Sequence, residues 1–508
     1  MTSTNQNFAL LVEATWQSQP DRPAIFHLDR SISYEELTRM VDGWSAALRG
    51  LGAKAGDCVA LWLPNSPAFV AAFLATLRLG AISVPMGVLL KPGEVRQRLD
   101  VTRPEVLVTT PDLARELREV TPRVLAVDPS GGDFGSADHA PAANRAAGDA
   151  AVLIFTSGTV GDARAAELTH GGILWNAQAL ADGLALRSDD VQFAAAPLSH
   201  VLGMTGVMNA TLLRGGALAL MERFDAPTAV PFIARTRTSG IIGAPPMFAA
   251  LIREARRIGV APRLRFAMAG GAALAPELAR DVEETFGCVL RDGYGMSEVG
   301  GGVTHTPVDL PPRPGSVGPA LPGSQLRIVD LVTGEPLPAG ERGEVMVRSP
   351  SVMAGYRGND GATREVLRAD GWLSTGDIGY LDADGYLFLV DRKKDIIIRS
   401  GYNVYPREVE HVLSACPGVL EAAVVGILDH EHGEEVVALV VPEHEGALDP
   451  EFVKAFARER LAAYKYPRLV VVVKELPKGP TGKVLKRQID VCALLARPSG
   501  DPDSQRPR

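Results

Sequence analysis

Residues 156–165 (TSGTVGDARA) combine hydroxyl side chains with glycines and directly follow the apolar run at 151–155 (AVLIF). The apolar run predicts a buried strand. Glycines and short hydroxyl side chains after such a strand can turn backbone N–H groups toward an anion, so this loop could bind a triphosphate. A loop of this composition is more often an ordinary turn, and the phosphate interpretation therefore depends on the other motifs of the chain.

Five further motifs follow in order along the second half of the chain. They lie at residues 270–272 (GGA), 292–298 (DGYGMSE), 374–377 (STGD), 391–395 (DRKKD) and 480–483 (PTGK). Each motif alone is common in proteins and indicates little. The ordered set, taken together with the preceding loop, favours a nucleotide site built from several segments of the chain.

This set of motifs resembles the adenylate-forming superfamily, which comprises acyl-CoA synthetases, peptide-synthetase adenylation domains and luciferases. The resemblance extends over about residues 8–490. It implies that ATP and a carboxylic acid form an acyl-adenylate and pyrophosphate, after which a thiol displaces AMP. The first step is needed because a carboxylate is a poor electrophile toward a thiol. The cofactors implied are ATP or the acyl-adenylate, Mg²⁺ and coenzyme A, and the partner is a small carboxylic acid.

The resemblance also implies which residues bind the nucleotide. Those in the loop and the next two motifs are Thr156, Ser157, Gly158, Thr159, Gly161, Arg164, Gly270, Gly271, Ala272, Asp292, Gly293 and Tyr294. The ring of Tyr294 would stack on adenine. Ser297 would contact the α-phosphate, and Glu298 would hold Mg²⁺, a hard cation that prefers carboxylate oxygens. Asp377, helped by Arg392, would accept hydrogen bonds from both ribose hydroxyls.

Four residues are implied in catalysis by the same resemblance. Lys483 is the adenylation lysine, whose ammonium would neutralise charge as the carboxylate attacks the α-phosphate. Lys394 matches the hinge about which a small domain would rotate for the thioester step. Gly401 would flank the passage of the thiol arm, since a residue without Cβ allows close approach to the backbone. His200 resembles the family's aromatic position beside the acyl carbonyl. Without the resemblance, these would be ordinary surface, linker, turn and structural residues.

The loop departs from the family's usual sequence TSGTTGxPKG. Val160, Ala163, Arg164 and Ala165 replace the second Thr, the Pro, the Lys and the Gly, and Ala269 replaces a serine that usually precedes the two glycines. A hydroxyl donor is lost, a Cβ is added, and a planar guanidinium replaces a compact ammonium. These changes would weaken handling of the β- and γ-phosphates. They predict that the thioester half is kept while the adenylation half is lost, with a separate adenylating enzyme supplying the acyl-adenylate.

Three functions are compatible with the motifs. The first is an AMP-forming acyl-CoA ligase for a bulky apolar acid, for which small residues such as Gly203, Gly243 and the run at 300–302 suggest room. The second is a loader that passes the acyl group to a free-standing carrier protein. The third is a catalytically inactive adenylate-binding protein, against which the retention of Lys394 and Lys483 argues.

Composition restricts the class of protein further. A chain of 508 residues with 46% hydrophobic residues predicts at least two domains. The net charge of −8 and the absence of a Lys/Arg run argue against nucleic-acid binding. The N-terminus lacks a signal peptide, and no stretch approaches the ~18 to 20 apolar residues of a membrane span, which predicts a cytoplasmic protein. Cys58, Cys288, Cys416 and Cys492 are too scattered for a zinc site or disulfide framework, so they are predicted to be ordinary thiols.

Alternating helix-like stretches and short apolar runs predict an α/β fold. The clearest are a helix at 34–51 and strands at 58–63, 151–155, 192–196, 216–221, 240–243 and 266–269, the last four forming a second, mostly parallel sheet. After Pro314, short segments at 325–329 and 343–347 predict a β-rich subdomain.

The resemblance groups these elements into domains. It implies a large N-terminal domain, residues 1–391, made of two α/β subdomains plus a β-barrel. A small mobile α+β C-terminal domain would follow at residues 392–495. The polar tail at 496–508 is predicted to be disordered.

Overall fold

The computed structural model describes residues 5–117, 122–131, 134, 139, 141–156, 163–272, 274–400, 402–429, 432–444, 448–478, 484–489 and 491. The chain divides into two compact units. The larger unit comprises Met1–Arg327, Met346–Ser374 and Asp382–Phe388, and the smaller unit comprises Ile328–Val345, Thr375–Leu381 and Leu389–Arg508. The domain boundary expected after residue 391 stays a prediction, and the tail at 496–508 lies outside the described residues.

Short runs rich in β-branched and other apolar residues form the strands. In chain order they are β1 Pro23–His27, β2 Arg30–Ser33, β3 Cys58–Trp62, β4 Ile82–Pro85, β5 Val106–Thr109, β6 Arg123–Ala126, β7 Ala150–Phe155, β8 Ala165–Thr169, β9 Val191–Ala194, β10 Ala217–Leu220, β11 Gly240–Gly243, β12 Phe266–Gly270, β13 Leu290–Met296, β14 Gly301–His305, β15 Gln325–Val329, β16 Gly343–Arg348, β17 Gly355–Tyr356, β18 Leu373–Leu381, β19 Leu387–Arg392, β20 Ile397–Arg399, β21 Tyr402–Val404, β22 Val419–Asp429, β23 Gly433–Pro442 and β24 Leu469–Val472. The strands predicted from apolar runs are all among them.

The helices alternate with these strands through most of the larger unit. In chain order they are α1 Phe8–Trp16, α2 Tyr34–Gly50, α3 Pro67–Arg78, α4 Pro92–Thr102, α5 Pro111–Glu116, α6 His170–Gly183, α7 Ala210–Leu213, α8 Ala226–Arg235, α9 Pro245–Ile258, α10 Pro276–Phe286, α11 Asp360–Val366, α12 Pro406–Ser414 and α13 Pro450–Arg460. A π-helix covers Leu202–Asn209, and 3₁₀ turns cover Ser297–Val299, Lys393–Asp395 and Lys486–Gln488. None of the helices in the described part of the chain has the length and apolar composition of a membrane span.

Helix α2 shows how local sequence sets these elements. Ser33 accepts a hydrogen bond from the backbone N of Glu36 at 3.2 Å, and the Glu36 carboxylate accepts one from the Ser33 N at 2.8 Å. This reciprocal capping box satisfies donors that the first helical turn leaves free. Leu37, Val41 and Trp44 then recur at helical spacing and are fully buried. The helix predicted at 34–51 is therefore confirmed.

Two sheets of the larger unit confirm the predicted α/β class. One has the order β14-β13-β12-β11-β9-β10-β1-β2, in which the pairs from β13 to β1 are parallel and both edge strands are antiparallel. The other has the order β17-β8-β7-β4-β3-β5-β6. The second parallel sheet was predicted, but its completion by β1 and β2 from the start of the chain was not.

The register of the first sheet aligns the ends of its central strands. Gly243 pairs with Ala269, and Ala269 pairs with Asp292. One residue further on, Gly270 pairs with Gly293. Because the strands are parallel, the segments that follow β11, β12 and β13 emerge from the same edge of the sheet. The apolar faces below this edge enclose a core that includes Phe193, Phe248 and Phe286.

The smaller unit is α+β, as predicted for the C-terminal part of the chain. Its own sheet has the order β21-β20-β23-β22, with β24 pairing beside β23. Strands β22 and β23 form an antiparallel hairpin, and Val404, Leu413, Val424 and Val436 lie fully buried in its core. The β-rich segment after Pro314 forms a four-stranded sheet of order β15-β16-β18-β19. Its closure into a barrel stays a prediction.

A buried group of charged residues connects the first three helices. Arg78 at the end of α3 is only 1% exposed. Its Nε and Nη2 atoms lie 3.0 and 2.6 Å from the two carboxylate oxygens of Glu13 in α1, and Nη1 contacts Asp42 in α2. A buried guanidinium must be paired, since an isolated buried charge loses its hydration without compensation. These ion pairs therefore fix how α1 and α2 lie against α3.

We expect Arg78→Met to lower the free energy of unfolding of the larger unit by about 3 to 5 kcal/mol, because it leaves two buried carboxylates without their cation. Urea denaturation followed by tryptophan fluorescence would measure this. The matched control is Arg280→Met, which removes the exposed Arg280–Glu277 pair on α10 and should change nothing measurable. Equal stability of the two variants would contradict the assignment of Arg78 as a structural cation.

Candidate active site

The glycines predicted for adenine binding lie at the end of β12. Gly270 is buried as the last residue of the strand, and Gly271 has a φ of +81°, which favours glycine. Ala272 is exposed immediately after it. On the neighbouring strand β13, Asp292 accepts a hydrogen bond from the Gly293 N at 2.9 Å, and Tyr294 is buried. The structure thus brings these predicted residues together at one sheet edge.

A tight hairpin follows Tyr294 and presents Ser297 and Glu298. Both are half-buried on the 3₁₀ turn, which ends at Gly300 in the left-handed conformation. A Cβ on Gly295 would lie 2.3 Å from the carbonyl oxygen of Gly301 on the partner strand. No larger residue fits there, so the two backbones of β13 and β14 approach closely because the motif contains glycine.

The glycine run at 300–302 is held by Asn176 of α6. The buried Asn176 amide donates to the Gly302 carbonyl at 2.8 Å and to Ser351 Oγ at 3.1 Å, and its oxygen accepts from the Gly302 N at 3.0 Å. Thr205 Oγ1 donates to the Gly300 carbonyl at 2.6 Å. A Cβ on Gly301 would lie 2.6 Å from the Asn176 oxygen. Protein atoms therefore occupy the Cβ position of Gly301, and the room for an acyl group expected from this run stays a prediction.

The Cβ position of Gly203 in the π-helix is occupied as well. A Cβ there would meet the Pro197 carbonyl oxygen at 2.2 Å. At Gly243 the obstacle is different, since the flexible end of the Met247 side chain lies 1.8 Å from the Cβ position. Room beside Gly243 therefore depends on the rotamer of Met247, and methionine adapts readily.

Glu298 is fixed at both its backbone and its carboxylate. Its carbonyl oxygen accepts from the Met353 N at 2.8 Å, and its Oε1 accepts from the Tyr356 hydroxyl at 2.9 Å. Burial, followed by the adjacent Glu298 charge, raises the pKa of Tyr356, so the hydroxyl stays protonated and donates. Across the described ranges no three His, Cys, Asp or Glu side chains form a metal cluster. One carboxylate suits Mg²⁺, which retains water and binds phosphate oxygens in nucleotide sites.

Arg164, at the position of the family's lysine, contacts residues beyond the loop. Its carbonyl accepts from the Thr156 N at 3.0 Å, which closes the base of the loop. Its guanidinium carbon lies 5.6 Å from the centre of the Tyr356 ring, and its Nη1 lies 3.6 Å from Glu365 Oε2. The side chain that replaces the lysine is therefore paired with a carboxylate and an aromatic ring.

Two other departures from the family sequence lie in regular strands. Ala165 is buried in β8 and pairs with Phe155, so the backbone there is extended and does not require glycine. The expectation that its Cβ would restrict the loop is wrong for this reason. Ala269 is fully buried within β12. Ser157, Gly158, Thr159, Val160 and Gly161 lie outside the described residues, and their predicted phosphate contacts stay predictions.

His200 lies between β9 and the π-helix. Its Nδ1 accepts a hydrogen bond from the Leu202 N at 3.3 Å, which leaves the proton of the neutral ring on Nε2. Burial lowers the pKa of His200, so the ring is neutral near pH 7 and Nε2–H is a donor. A Cβ on Gly270 would lie 3.4 Å from the Leu202 side chain, which places the start of the π-helix beside the glycines predicted to bind adenine.

In the smaller unit, Asp377 and Arg392 form a pair. Arg392 Nε lies 2.6 Å from Asp377 Oδ1, and Asp377 is only 5% exposed. The Asp377 N donates to Thr375 Oγ1 at 3.0 Å, which in turn donates to the Val345 carbonyl. This network holds the Asp377 carboxylate in place, and its ribose role stays a prediction.

Lys394 is exposed on the 3₁₀ turn of the smaller unit. The turn follows Asp391, whose carboxylate accepts from the Arg392 N and from the Arg407 N at the start of α12, each at 2.7 Å. Asp391 thereby connects the segment before the predicted hinge to the first helix after it. Gly401 and Lys483 lie outside the described residues, so their assignments also stay predictions.

Sequence reasoning missed Asn176 and Tyr356. Neither belongs to a recognised motif, and their partners are distant in the chain, at 126 and 58 residues respectively. The sequence carries one signal for Tyr356, the glycine that precedes it, and in the structure this Gly355 has a φ of +153°.

Comparisons with known proteins agree with this geometry. The sequence pattern of the AMP-binding enzyme family matches residues 12–357, and that of the AMP-binding enzyme C-terminal domain matches residues 408–483. Feruloyl-CoA synthase from Amycolatopsis sp is 35% identical over 472 residues, which cover 92% of this chain and 96% of that protein.

Solved structures give the same result. ATP-bound MatB from Rhodopseudomonas palustris has a TM-score of 0.89 at 30% identity and covers 96% of this chain and 98% of its own. The anthranilate CoA ligase AuaEII in complex with anthranoyl-AMP has a TM-score of 0.87 at 28% identity and covers 97% and 98%. The chain is thus similar over nearly its whole length to proteins whose structures contain ATP or an acyl-adenylate.

We expect Asn176→Leu to destabilise the larger unit, since each backbone group of the glycine run left buried and unpaired costs about 1 to 3 kcal/mol. The free energy of unfolding in urea measures the loss. Gln178→Leu is the control on the same helix, because the Gln178 amide bonds Asp182 at the surface. If Asn176→Leu were as stable as Gln178→Leu, the assignment of Asn176 as the residue that holds Gly300 to Gly302 would be wrong.

Proposed function

Because the chain belongs to the AMP-binding enzyme family, we propose that it is an AMP-forming acyl-CoA ligase whose thioester half-reaction is much faster than its adenylation. The observation that supports this difference between the rates of the two half-reactions is the placement of Arg164. At the position of the family's loop lysine, the chain has a guanidinium that is 3.6 Å from a carboxylate of Glu365 and lies over Tyr356. A cation already paired in this way contributes less to binding a triphosphate.

The first half-reaction joins the acid to AMP. One carboxylate oxygen of the acid attacks the α-phosphorus of ATP, and the bond to pyrophosphate breaks. Lys483 and Ser297 would stabilise charge on the α-phosphate, and His200 Nε2–H would donate to an acyl oxygen. Glu298 would hold Mg²⁺, which when bound neutralises charge on the phosphates. Asp377 would fix the ribose, which keeps the reacting atoms aligned.

The second half-reaction transfers the acyl group. The CoA thiol loses its proton to water, the sulfur attacks the acyl carbonyl, and AMP leaves with the electrons of the broken bond between the acyl carbon and the phosphate oxygen. Rotation at Lys394 would remove Lys483 and bring Gly401 to the thiol path. These residues match the family pattern, so this half is not affected by the changes in the loop at 156–165.

The acid in this proposal is bulky and apolar. The glycine run adds no support, because a Cβ on Gly301 would already meet the Asn176 side chain. Support comes instead from feruloyl-CoA synthase and the anthranilate CoA ligase, whose names specify aromatic acids. Beside Gly243, the movable Met247 side chain would adapt to a ring. Purified protein tested with aromatic, aliphatic and small polar acids, or their adenylates, would separate these classes.

We expect thioester formation from a synthetic acyl-adenylate and CoA to exceed that from acid, ATP and CoA roughly a hundred- to a thousand-fold, equivalent to ~3 to 4 kcal/mol in the adenylation barrier. Single-turnover assays of pyrophosphate release and of thioester formation measure the halves separately. Arg164→Lys should raise the adenylation rate, and Lys483→Ala should lower it further. Rapid pyrophosphate release by the wild type would contradict the prediction that adenylation is slower than thioester formation. No turnover of any adenylate with CoA would contradict the ligase itself, and transfer to a carrier protein would identify a loader.

We also expect Asp377→Ala to weaken AMP binding at least tenfold, since hydrogen bonds to a charged acceptor contribute about 1.5 to 3 kcal/mol each. Calorimetric titration with AMP measures the change. Asp384→Ala is the control, because it removes an exposed aspartate that is paired with Arg313. An unchanged affinity in Asp377→Ala with the fold intact would remove this residue from the nucleotide site.

A further inference from the structure

Tyr356 connects the position of the altered lysine to the predicted metal carboxylate. We propose that Tyr356 is a positioning residue for Glu298, and that Arg164 acts on the nucleotide site through the Tyr356 ring instead of through direct phosphate contact. The proposal rests on the proposed function, since it takes Glu298 as the residue that would hold Mg²⁺. It assigns a role to a residue that no motif of the chain contains.

The first support is that one short segment holds Glu298 at two points. The Met353 N donates to the Glu298 carbonyl at 2.8 Å, and the Tyr356 hydroxyl donates to Glu298 Oε1 at 2.9 Å. Tyr356 is only 6% exposed, so its ring has little freedom to move away. A carboxylate fixed through one oxygen keeps its second oxygen and its remaining lone pairs for a hard cation.

The second support is that the same segment is bonded to the strand that follows the phosphate loop. In β17, Gly355 pairs with Glu167 and Tyr356 pairs with Ala166 of β8. The flanking Arg357 N donates to the Ala165 carbonyl at 2.8 Å. The backbone that carries Tyr356 is therefore hydrogen-bonded to the strand that leaves the base of the loop.

The third support is the placement of the guanidinium. The Arg164 guanidinium lies over the Tyr356 ring at 5.6 Å, and its Nη1 lies 3.6 Å from the largely exposed Glu365 carboxylate. A cation on the ring face draws electron density from the ring and strengthens the hydroxyl as a donor to Glu298. A lysine would not act through the ring in this way, since its ammonium is compact and strongly hydrated and does not stack.

The test measures metal-dependent nucleotide binding, which needs no turnover. Calorimetry would give the affinity for α,β-methylene-ATP in saturating Mg²⁺ and again in EDTA, for wild type, Tyr356→Phe, Glu298→Gln and Arg164→Ala. Loss of a group that orients a metal ligand typically costs about 10- to 100-fold in metal affinity. We expect Tyr356→Phe to lower the affinity at least tenfold in Mg²⁺ and less than twofold in EDTA. Glu298→Gln should do the same.

A matched control and a double variant sharpen the result. Tyr386→Phe removes a hydroxyl from another buried tyrosine that lies beneath an arginine, Arg313, and should leave both affinities unchanged. Arg164→Ala should reduce the Mg²⁺-dependent affinity in the wild type but cause no further loss in the Tyr356→Phe background, because its effect passes through that hydroxyl.

Several outcomes would overturn the proposal. An unchanged Mg²⁺ effect in Tyr356→Phe, an equal loss in EDTA, or additive losses in the double variant would each do so. A Glu298→Gln variant with normal Mg²⁺ dependence would also do so, since Glu298 would then not be the metal carboxylate. These results are distinguishable from failure of the proposed function, which is tested separately by thioester formation from acyl-adenylate and CoA.

Discussion

Parallel strand pairing is the constraint on which the candidate site depends. Parallel strands require helical crossovers and place all their carboxyl ends at one edge of the sheet. In this protein the alignment of Gly243, Ala269 and Asp292 brings together segments that are separated by helices in the chain. The adenine motif, Tyr294 and the turn with Glu298 are consequences of that register. A slip of one residue would turn the side chains of these strands to the opposite face.

The glycines of the site serve the backbone more than the ligand. Gly295 and Gly301 allow β13 and β14 to approach and leave space for Asn176, so the hairpin becomes a packed support for Glu298. A glycine-rich motif therefore has two physical explanations, close approach of a ligand or close approach of the protein chain. Only the positions of neighbouring atoms distinguish them.

The replacement of lysine by arginine also has a different meaning once its surroundings are known. As a change of residue type, Arg164 replaces the compact ammonium of lysine with a planar guanidinium. In the structure, this guanidinium contacts Glu365 and the face of the Tyr356 ring, and the Tyr356 hydroxyl donates a hydrogen bond to Glu298. The substitution is therefore connected to the predicted metal carboxylate through an aromatic ring.

The sequence by itself determined the elements and the identity of most candidate residues, because capping residues and apolar runs act over short distances. Strands β11 and β15 have the predicted bounds, and the helix that begins at Tyr34 was specified by its own cap and buried stripe. Tertiary structure decided what depends on distant partners. The pairing of β1 with β10, the strand conformation of Ala165, the packing of Gly301 and the contact of Tyr356 with Glu298 all belong to this class. Local propensity contains no information on which remote segments meet, since chain folding and register select them.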